Sequence, residues 1–429
     1  MTSPSPFSVA VVGAGLGGLV LARVLQLHGL TVSVFECEPT PDSRGQGGSL
    51  DMHPESGQYA LETAGLTAQF RKLARPEDEE MKITDKHGSI AFEEVPPPPA
   101  AEDPSSPDEQ APPRGGRPEI DRGQLRQLLL DSLHPGTVHW DHGVESVQLS
   151  GANDDDKVSL IFTRPASGVT PSPKKFDVVV GADGAWSRVR PLLSPAQPTY
   201  SGVTFVDSLL ALDADGDATL QEAAKLVGRG TLFAVSDSRG IIAQRNSGGV
   251  VRVYAALRVP NGTFDAAATQ QDTPALRAAV LRYFDGWAPQ LRALIGTPST
   301  TGFIARPLWV LPSGHRWDTA PGGRVTLLGD AAHLMVPFAG AGANLAMADG
   351  ADLGLALAKA KTPTELAVRV REYEAAMQER GKGEWELSMQ NMDAFLGDDA
   401  PAAAVEKAVA WLALVQPALA QTPESSKAA

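Results

Sequence analysis

Apolar positions follow two periods along this chain. Ser8 to Val12 is a short β-branched run that predicts a buried strand, Leu19 to His28 has helical spacing stopped by Gly29, and Thr31 to Phe35 predicts a second strand. A strand, a glycine cluster, a helix and a strand in that order predict a parallel sheet with a right-handed crossover. Arg122 to Leu133 again has a helical pattern, and Phe176 to Val180 is a buried strand running into Gly181-Ala182-Asp183-Gly184 and then an expected helix. Arg324 to Leu328 repeats that pattern ahead of an Ala- and Leu-rich helix from Leu345 to Lys359. Between these, Thr199 to Leu212, Thr231 to Ser236 and Val250 to Val259 alternate with period two, which predicts antiparallel strands of a second, inserted sheet. From Thr364 the chain is mostly helical in composition, and Ala408 to Ala420 is an amphipathic core segment too short to span a bilayer. Val95 to Pro118 holds PPPP, DPSSPDEQ and PPRGGRP with little to bury, so a long mobile loop is expected there.

Three glycine-and-acid turns sit at the ends of predicted buried strands. In Gly13-Ala14-Gly15-Leu16-Gly17-Gly18, Gly13 permits the tight turn, Gly15 lets a pyrophosphate approach the backbone, and Gly18 lets the helix pack on the sheet. Glu36, just past the second strand, stands where an acid accepts ribose hydroxyls. The second turn is Gly329-Asp330-Ala331-Ala332-His333, followed by Pro337 and by Gly340-Ala341-Gly342-Ala343-Asn344 at the start of the late helix. Its Asp330 can accept a ligand hydroxyl or simply cap the turn, and His333 reads as a structural donor rather than a base. The third, from Gly181 to Arg190, is by itself only a turn with Asp183 as cap. Ligands collect outside the carboxyl ends of strands in open α/β sheets, so three such turns can converge on one elongated ligand.

Charge and composition narrow the classes. A formal net charge of -14 removes the electrostatic footprint that nucleic acid or anionic lipid requires. One cysteine, Cys37, excludes an intramolecular disulfide, and MTSPSPF carries no basic or apolar leader, so a cytoplasmic location is expected. The eight histidines are scattered without metal-ligand spacing, and no metal is expected.

GAGLGG, GADGAWSRVR and GDAAHLMVPFAGAGAN together resemble the three fingerprints of the flavoprotein aromatic hydroxylases, which are FAD-dependent monooxygenases. Gly47 to His53, Ser56-Gly57-Gln58, Ala64-Gly65-Leu66, Glu119 to Arg122, Leu125-Arg126, Val138 to Asp141 and Tyr373 to Met377 resemble the tetracycline-inactivating branch, so the similarity runs over nearly the whole chain. Two departures stand out: the family's usual glutamine between the late glycines is Ala341, and the Pro-rich segment is longer than in the family.

The resemblance implies an α/β fold: a Rossmann-like FAD-binding domain (1–75, 118–192 and 300–360), an inserted antiparallel-sheet substrate domain (76–94 and 199–299), the Pro-rich loop (95–118) and a C-terminal helical segment (361–429). It implies noncovalent FAD, reduced by NADPH or NADH, and oxygen insertion from O2 through a flavin C4a-hydroperoxide into a polycyclic phenolic or enolic small molecule. No side chain is expected to act as acid or base. Glu36 is expected at the adenosine ribose, Arg122 at the phosphate or ribityl region with Arg126 nearby, Asp330 at the ribityl or pyrophosphate region, and Gly47, Gly48 and Asp51 by the isoalloxazine. Arg44, Asp183, Gly329, Pro337, Gly340, Gly342, Ala343 and Asn344 complete the expected cofactor contacts. Expected substrate contacts are Arg229, Arg252, Asp207 and Gln244 on the inserted sheet, Met392 and Phe395 late in the chain, and Pro337, Phe338 and Gly340. The branch places a histidine at the position aligned with Arg252, and the change suggests a different or more acidic substrate. A monomer is expected, with no nucleic-acid or membrane partner. The competing classes are a flavin oxidase or halogenase, for which Trp309 and Trp317 lack the WxWxIP pattern, and a noncatalytic binder on the same fold.

Overall fold

A computed structural model describes residues 7–43, 45, 47–94, 116–149, 157–164, 168–211, 218–265 and 273–415. Arg44, residues 95–115 of the expected loop and residues 416–429 of the expected C-terminal helical segment lie outside the described residues. Contacts divide the chain into two units, one of residues 1–74, 108–199 and 309–387, the other of residues 75–107, 200–308 and 388–429.

In the first unit a five-stranded parallel sheet runs in the order Val325–Leu327, Val178–Gly181, Ser8–Val12, Thr31–Phe35, Val138–His139. Val9 to Val12, Val34, Phe35, Val178 to Val180, Val325 and Leu327 are all buried, as the continuous apolar runs require of strands covered on both faces. The helix Leu16–Leu27 lies against the late helix Gly342–Lys359, and glycines set that approach. A Cβ on Gly17 would stand 2.3 Å from the Ala346 carbonyl oxygen, and one on Gly350 would stand 2.3 Å from that of Gly17. A second, three-stranded antiparallel sheet of Val144–Leu149, Val158–Phe162 and Lys174–Phe176 was not anticipated. Its Phe162 and Phe176 pack on Phe35. The α-helix expected after Gly181-Ala182-Asp183-Gly184 does not form. Asp183 and Ser187 side chains take the N–H groups of Arg188, Val189 and Arg190, and only a 3-10 turn over Arg190–Leu192 follows.

The second unit is built on a seven-stranded sheet in the order Thr300–Val310, Thr199–Ala211, Val250–Arg258, Arg239–Arg245, Thr231–Ser236, Met81–Thr84, Ile90–Glu94. Its described pairings are antiparallel except Thr231–Ser236 with Met81–Thr84, which is parallel. Val206, Leu210, Leu232, Ile241, Val251 and Val253 form one core with Leu220, Leu276 and Leu291 of the helices Ala218–Val227, Thr273–Leu281 and Pro289–Gly296. The alternate residues must face the other way. Register sets two rows on that opposite face: Thr231, Gln244, Arg252, Leu209 and Phe233, Ile242, Tyr254, Asp207. The long helix Pro363–Phe395 ends in this unit, where the Phe395 ring meets Phe233 edge-on at 5.1 Å. Among the described residues, no helix is long and apolar enough to cross a membrane.

Candidate functional site

At the first glycine turn each glycine has a different local demand. Gly13 adopts φ +105°, and a Cβ there would stand 2.3 Å from the Ala182 carbonyl oxygen. Gly18 is held 2.4 Å from the Gly13 oxygen by the same measure, whereas nothing lies within 4 Å of a Cβ on Gly15. The Glu36 carboxylate accepts the Ala14 N–H at 2.7 Å and the Glu38 N–H at 3.0 Å. Cys37 donates its thiol to Glu36 at 3.1 Å, and partial burial together with that acid raises the thiol pKa to about 11. Arg126 is buried rather than solvated: it donates to Ala14 O at 3.1 Å, Pro41 O at 2.8 Å and Glu38 at 3.2 Å, and lies over the Trp140 ring. Its donors therefore brace the turn that carries Gly13 and Gly15.

The late turn is held from behind by charges that periodicity cannot reveal. Gly329 adopts φ +58° and leads into the short helix Asp330–His333. Asp349, fully buried on the late helix, accepts the Gly329 N–H at 3.0 Å, His333 Nε2 at 2.6 Å and Arg380 at 2.9 Å. Arg190 donates to Ala331 O at 3.1 Å, and His315 Nδ1 donates to Ala332 O at 2.7 Å. The front of the turn is left to Asp330, whose side chain opens to solvent while protein hems it in. That desolvation raises its pKa, against the pull of His333 and Arg122.

Arg122 ties this turn to the segment after Glu36. Its N–H donates to Gly48 O at 3.1 Å, and a Cβ on Gly47, at φ +117°, would lie 3.4 Å from its Cδ. The pair of short strands Ser49–Asp51 and Glu119–Asp121 carries Asp51 beside Gly340, where a Cβ would meet its Oδ1 at 3.4 Å. Asn344 donates to Asp51 O at 2.9 Å and accepts the His53 N–H at 3.0 Å. Asp51 itself pairs with Arg117 at 2.7 Å and His53 at 3.1 Å, so residues 116–118 of the expected loop are anchored; the carbonyls of Gly116 and Pro118 also accept bonds from Gln58 and Met52. Gly47, Gly48, Asp51, Arg122, Asp330, Gly340 and Asn344 thus share one neighbourhood. Phe338 is half-buried there, and Pro337 is exposed in the 3-10 turn before Gly340.

Asp183 stands against the first turn through Gly13. Its Oδ2 accepts the Arg188 N–H at 2.7 Å, its Oδ1 is buried without a partner, and burial raises its pKa. An orphaned acceptor, open space at Gly15 and at Gly342, and an acid at each strand end suit a dinucleotide such as FAD. Among the described residues no group of His, Cys, Asp and Glu could hold a metal.

In the second unit, Arg252 and Asp207 form a buried ion pair on the sheet face opposite the helices, and Arg306 joins Asp207 at 2.8 Å. Arg252 lies over the Tyr254 ring at 5.8 Å, and Gln244 is its cross-strand neighbour. Asp207 Oδ1 and Arg252 Nε are buried without partners. Arg229 is placed differently: 63% exposed before the strand Thr231–Ser236, it lies 3.7 Å from Asp78, and its N–H donates to Glu80 at 2.6 Å. Met392 and Phe395 are buried. Sequence reasoning missed Arg306, Asp349, Arg190 and Arg117; acids at Asp349 and Asp352 in an otherwise Ala-, Leu- and Gly-rich late helix were the available signal for Asp349.

The profile of the FAD binding domain family matches residues 7–383. The chain is 32% identical over 391 residues to monooxygenase penA of Penicillium thymicola, covering 82% of this chain and 85% of that protein. Among solved structures, Klebsiella pneumoniae HpxO complexed with FAD and uric acid superposes with a TM-score of 0.70 at 23% identity, covering 95% of this chain and 92% of that one. Tetracycline destructase Tet(51) superposes with a TM-score of 0.66 at 18% identity, covering 97% and 96%. At these identities the two structures speak for the fold alone. With the family profile spanning the sheet, the three turns and their braces, the chain belongs to the FAD binding domain family of flavoprotein monooxygenases.

Proposed function

We propose that this protein is an NAD(P)H-dependent monooxygenase that inserts one atom of O2 into a polycyclic phenolic or enolic small molecule, acting as a cytoplasmic monomer. The observation that carries this reading is the convergence of Gly47, Gly48, Asp51, Arg122, Asp330, Gly340 and Asn344 in the unit that bears the glycine turn. FAD, when bound, would supply the redox chemistry of hydride acceptance and dioxygen activation. The chain's own work is binding, orientation and exclusion of water.

Gly15 leaves the backbone open to a pyrophosphate at the N-terminus of Leu16–Leu27, where N–H groups and dipole favour anions. Glu36 accepts the ribose hydroxyls, and Arg126 positions that turn from within through Ala14 and Glu38. Arg122 and Asp330 take the phosphate and ribityl region, with Asp183 and Gly329 at the flanking strand ends. Asp51, Pro337 and Gly340 lie by the flavin ring, and Gly342, Ala343 and Asn344 open a helix whose dipole steadies negative charge there. Arg252, Asp207 and Gln244 contact substrate, joined by Arg306; two arginines around one aspartate leave a net positive charge that suits an enolate or phenolate. Phe338, Met392 and Phe395 supply apolar surface. Arg229 contributes less, because its guanidinium faces Asp78 and solvent.

The test is a screen of phenolic and polycyclic enolic compounds for stimulation of NADPH and NADH oxidation by the flavin-loaded protein, with product masses. A hit gives a product heavier by one oxygen, and Arg252→Ala weakens its binding or raises the share of peroxide released. Stoichiometric peroxide with every compound, or a protein that takes up no flavin, defeats the proposal.

A further inference from the structure

Behind the late turn of the first unit lies a small, partly open cavity with room for about one water-sized group. Its wall includes His315, His333 and one stripe of the long helix, with Gln378, Gly381, Lys382 and Trp385. Three nitrogens of that wall are buried without a partner: His333 Nδ1, Gln378 Nε2 and Trp385 Nε1. Gly381 permits the close approach, since a Cβ there would stand 3.0 Å from the His333 ring.

The chemistry of these three atoms is one-sided. The Gln378 amide nitrogen and the Trp385 indole nitrogen can only donate. His333 Nε2 gives its proton to Asp349 at 2.6 Å, so Nδ1 is an acceptor in the neutral ring and a third donor in the charged one. The acids around His333 favour the charged ring: Asp349 behind it and Asp330 on its own turn. The cations are Arg380 beyond Asp349, Lys382 and His315 across the cavity, and Arg190 near His315; Lys382 also faces Glu386 at 3.9 Å. Unpaired buried donors are costly, and a wall made of donors is completed by an acceptor that donates nothing.

We infer that this cavity binds one small monovalent anion of the size and chemistry of chloride, held by His333, Gln378 and Trp385. The site is separate from the open side of the turn, where Asp330 lies, and does not depend on the proposed reaction. It couples the anion to the protonation of His333 and, through Asp349, to the Gly329 N–H. Binding is accordingly tighter at acid pH and weakens as pH rises through the His333 pKa.

Bromide is the probe. In a crystal of the flavin-loaded protein soaked in sodium bromide, an anomalous difference peak is expected between His333, Gln378 and Trp385. In solution, bromide should raise the unfolding temperature saturably over sodium gluconate at equal ionic strength, more at about pH 6 than at about pH 8.5. Trp385→Phe and Gln378→Leu each remove one donor with little change of shape, and each should weaken the bromide response at least tenfold in half-saturating concentration. A cavity holding only water after the soak overturns the inference, as does a bromide response that survives both substitutions.

Discussion

Replacing Asp349 by Asn tests the brace that holds the late turn. The carboxylate is fully buried and faces two cations, His333 at 2.6 Å and Arg380 at 2.9 Å, while also accepting the Gly329 N–H at 3.0 Å. Asn preserves shape and one acceptor but removes the charge that justifies burying His333 and part of Arg380. Breaking a buried pair from one side costs about 3–5 kcal/mol, and the retained acceptor places this case near the lower end. For a unit of this size that corresponds to a fall of roughly 6–12 °C in unfolding temperature. The pH profile gives a second, sharper readout. His333 is raised above its ordinary 6.5, with burial opposing and Asp349 prevailing, so its contribution is complete below pH 6.5 and disappears as pH rises through the folded-state pKa. Asp349 is lowered below its ordinary 3.8 because His333 and Arg380 outweigh burial, so its contribution is complete above pH 3.8 and lost as pH falls through the folded-state pKa. The pair therefore contributes most between pH 3.8 and 6.5. Thermal unfolding of the flavin-loaded wild type and Asp349→Asn should show stability declining from about pH 6 to 9 in the wild type and a flatter profile in the variant. Equal slopes, or a loss below about 0.5 kcal/mol, would falsify the brace.

Gly15→Ala and Gly17→Ala separate binding from packing. A Cβ on Gly15 meets nothing within 4 Å, so its variant should fold with stability changed by less than about 0.5 kcal/mol yet lose flavin; a Cβ on Gly17 meets Ala346 O at 2.3 Å, so its variant should lose about 1–3 kcal/mol in denaturant unfolding. Flavin retained by Gly15→Ala would remove the turn from the cofactor site. Asp330→Ala should weaken FAD binding by about 10- to 100-fold in equilibrium titration, since a hydroxyl partner is lost, and unchanged affinity would count against its assignment. Acid precipitation should release all the flavin, because Cys37 lies at the Glu36 end of the site with its thiol held protonated by a pKa of about 11; colour remaining in the pellet would contradict this.

The parts of this fold that were legible in the sequence are those with an unbroken apolar run or a clean period-two alternation. Ser8–Val12, Thr31–Phe35 and Thr231–Ser236 begin and end where the pattern places them. The strand Thr300–Val310 escaped because Pro307 interrupts it, yet a proline is tolerated there, since the strand lies at the edge of its sheet. Arg239–Arg245 escaped because arginines close both ends, and one of them, Arg245, bonds back to Gly228 O. The same cause hid the braces of the site. A pattern of apolar and polar positions assigns every charge to solvent, but Arg126, Arg190 and Asp349 are buried and spend their donors and acceptors on backbone atoms of the two glycine turns. Those backbone atoms are polar groups that the turns cannot satisfy by themselves, so a buried charge is what their geometry demands. Arg252 shows where periodicity stops and register takes over. Alternation leaves it on one of two faces, and the pairing of Leu209 with Arg252 and of Arg252 with Gln244 puts it opposite the helix-covered core. On that face a buried arginine with an unpaired Nε beside a buried aspartate with an unpaired oxygen is not a solvated surface pair. It is a polar arrangement left incomplete by the protein alone, and that incompleteness, which an ordinary surface arginine lacks, is the ground on which a substrate contact is proposed there.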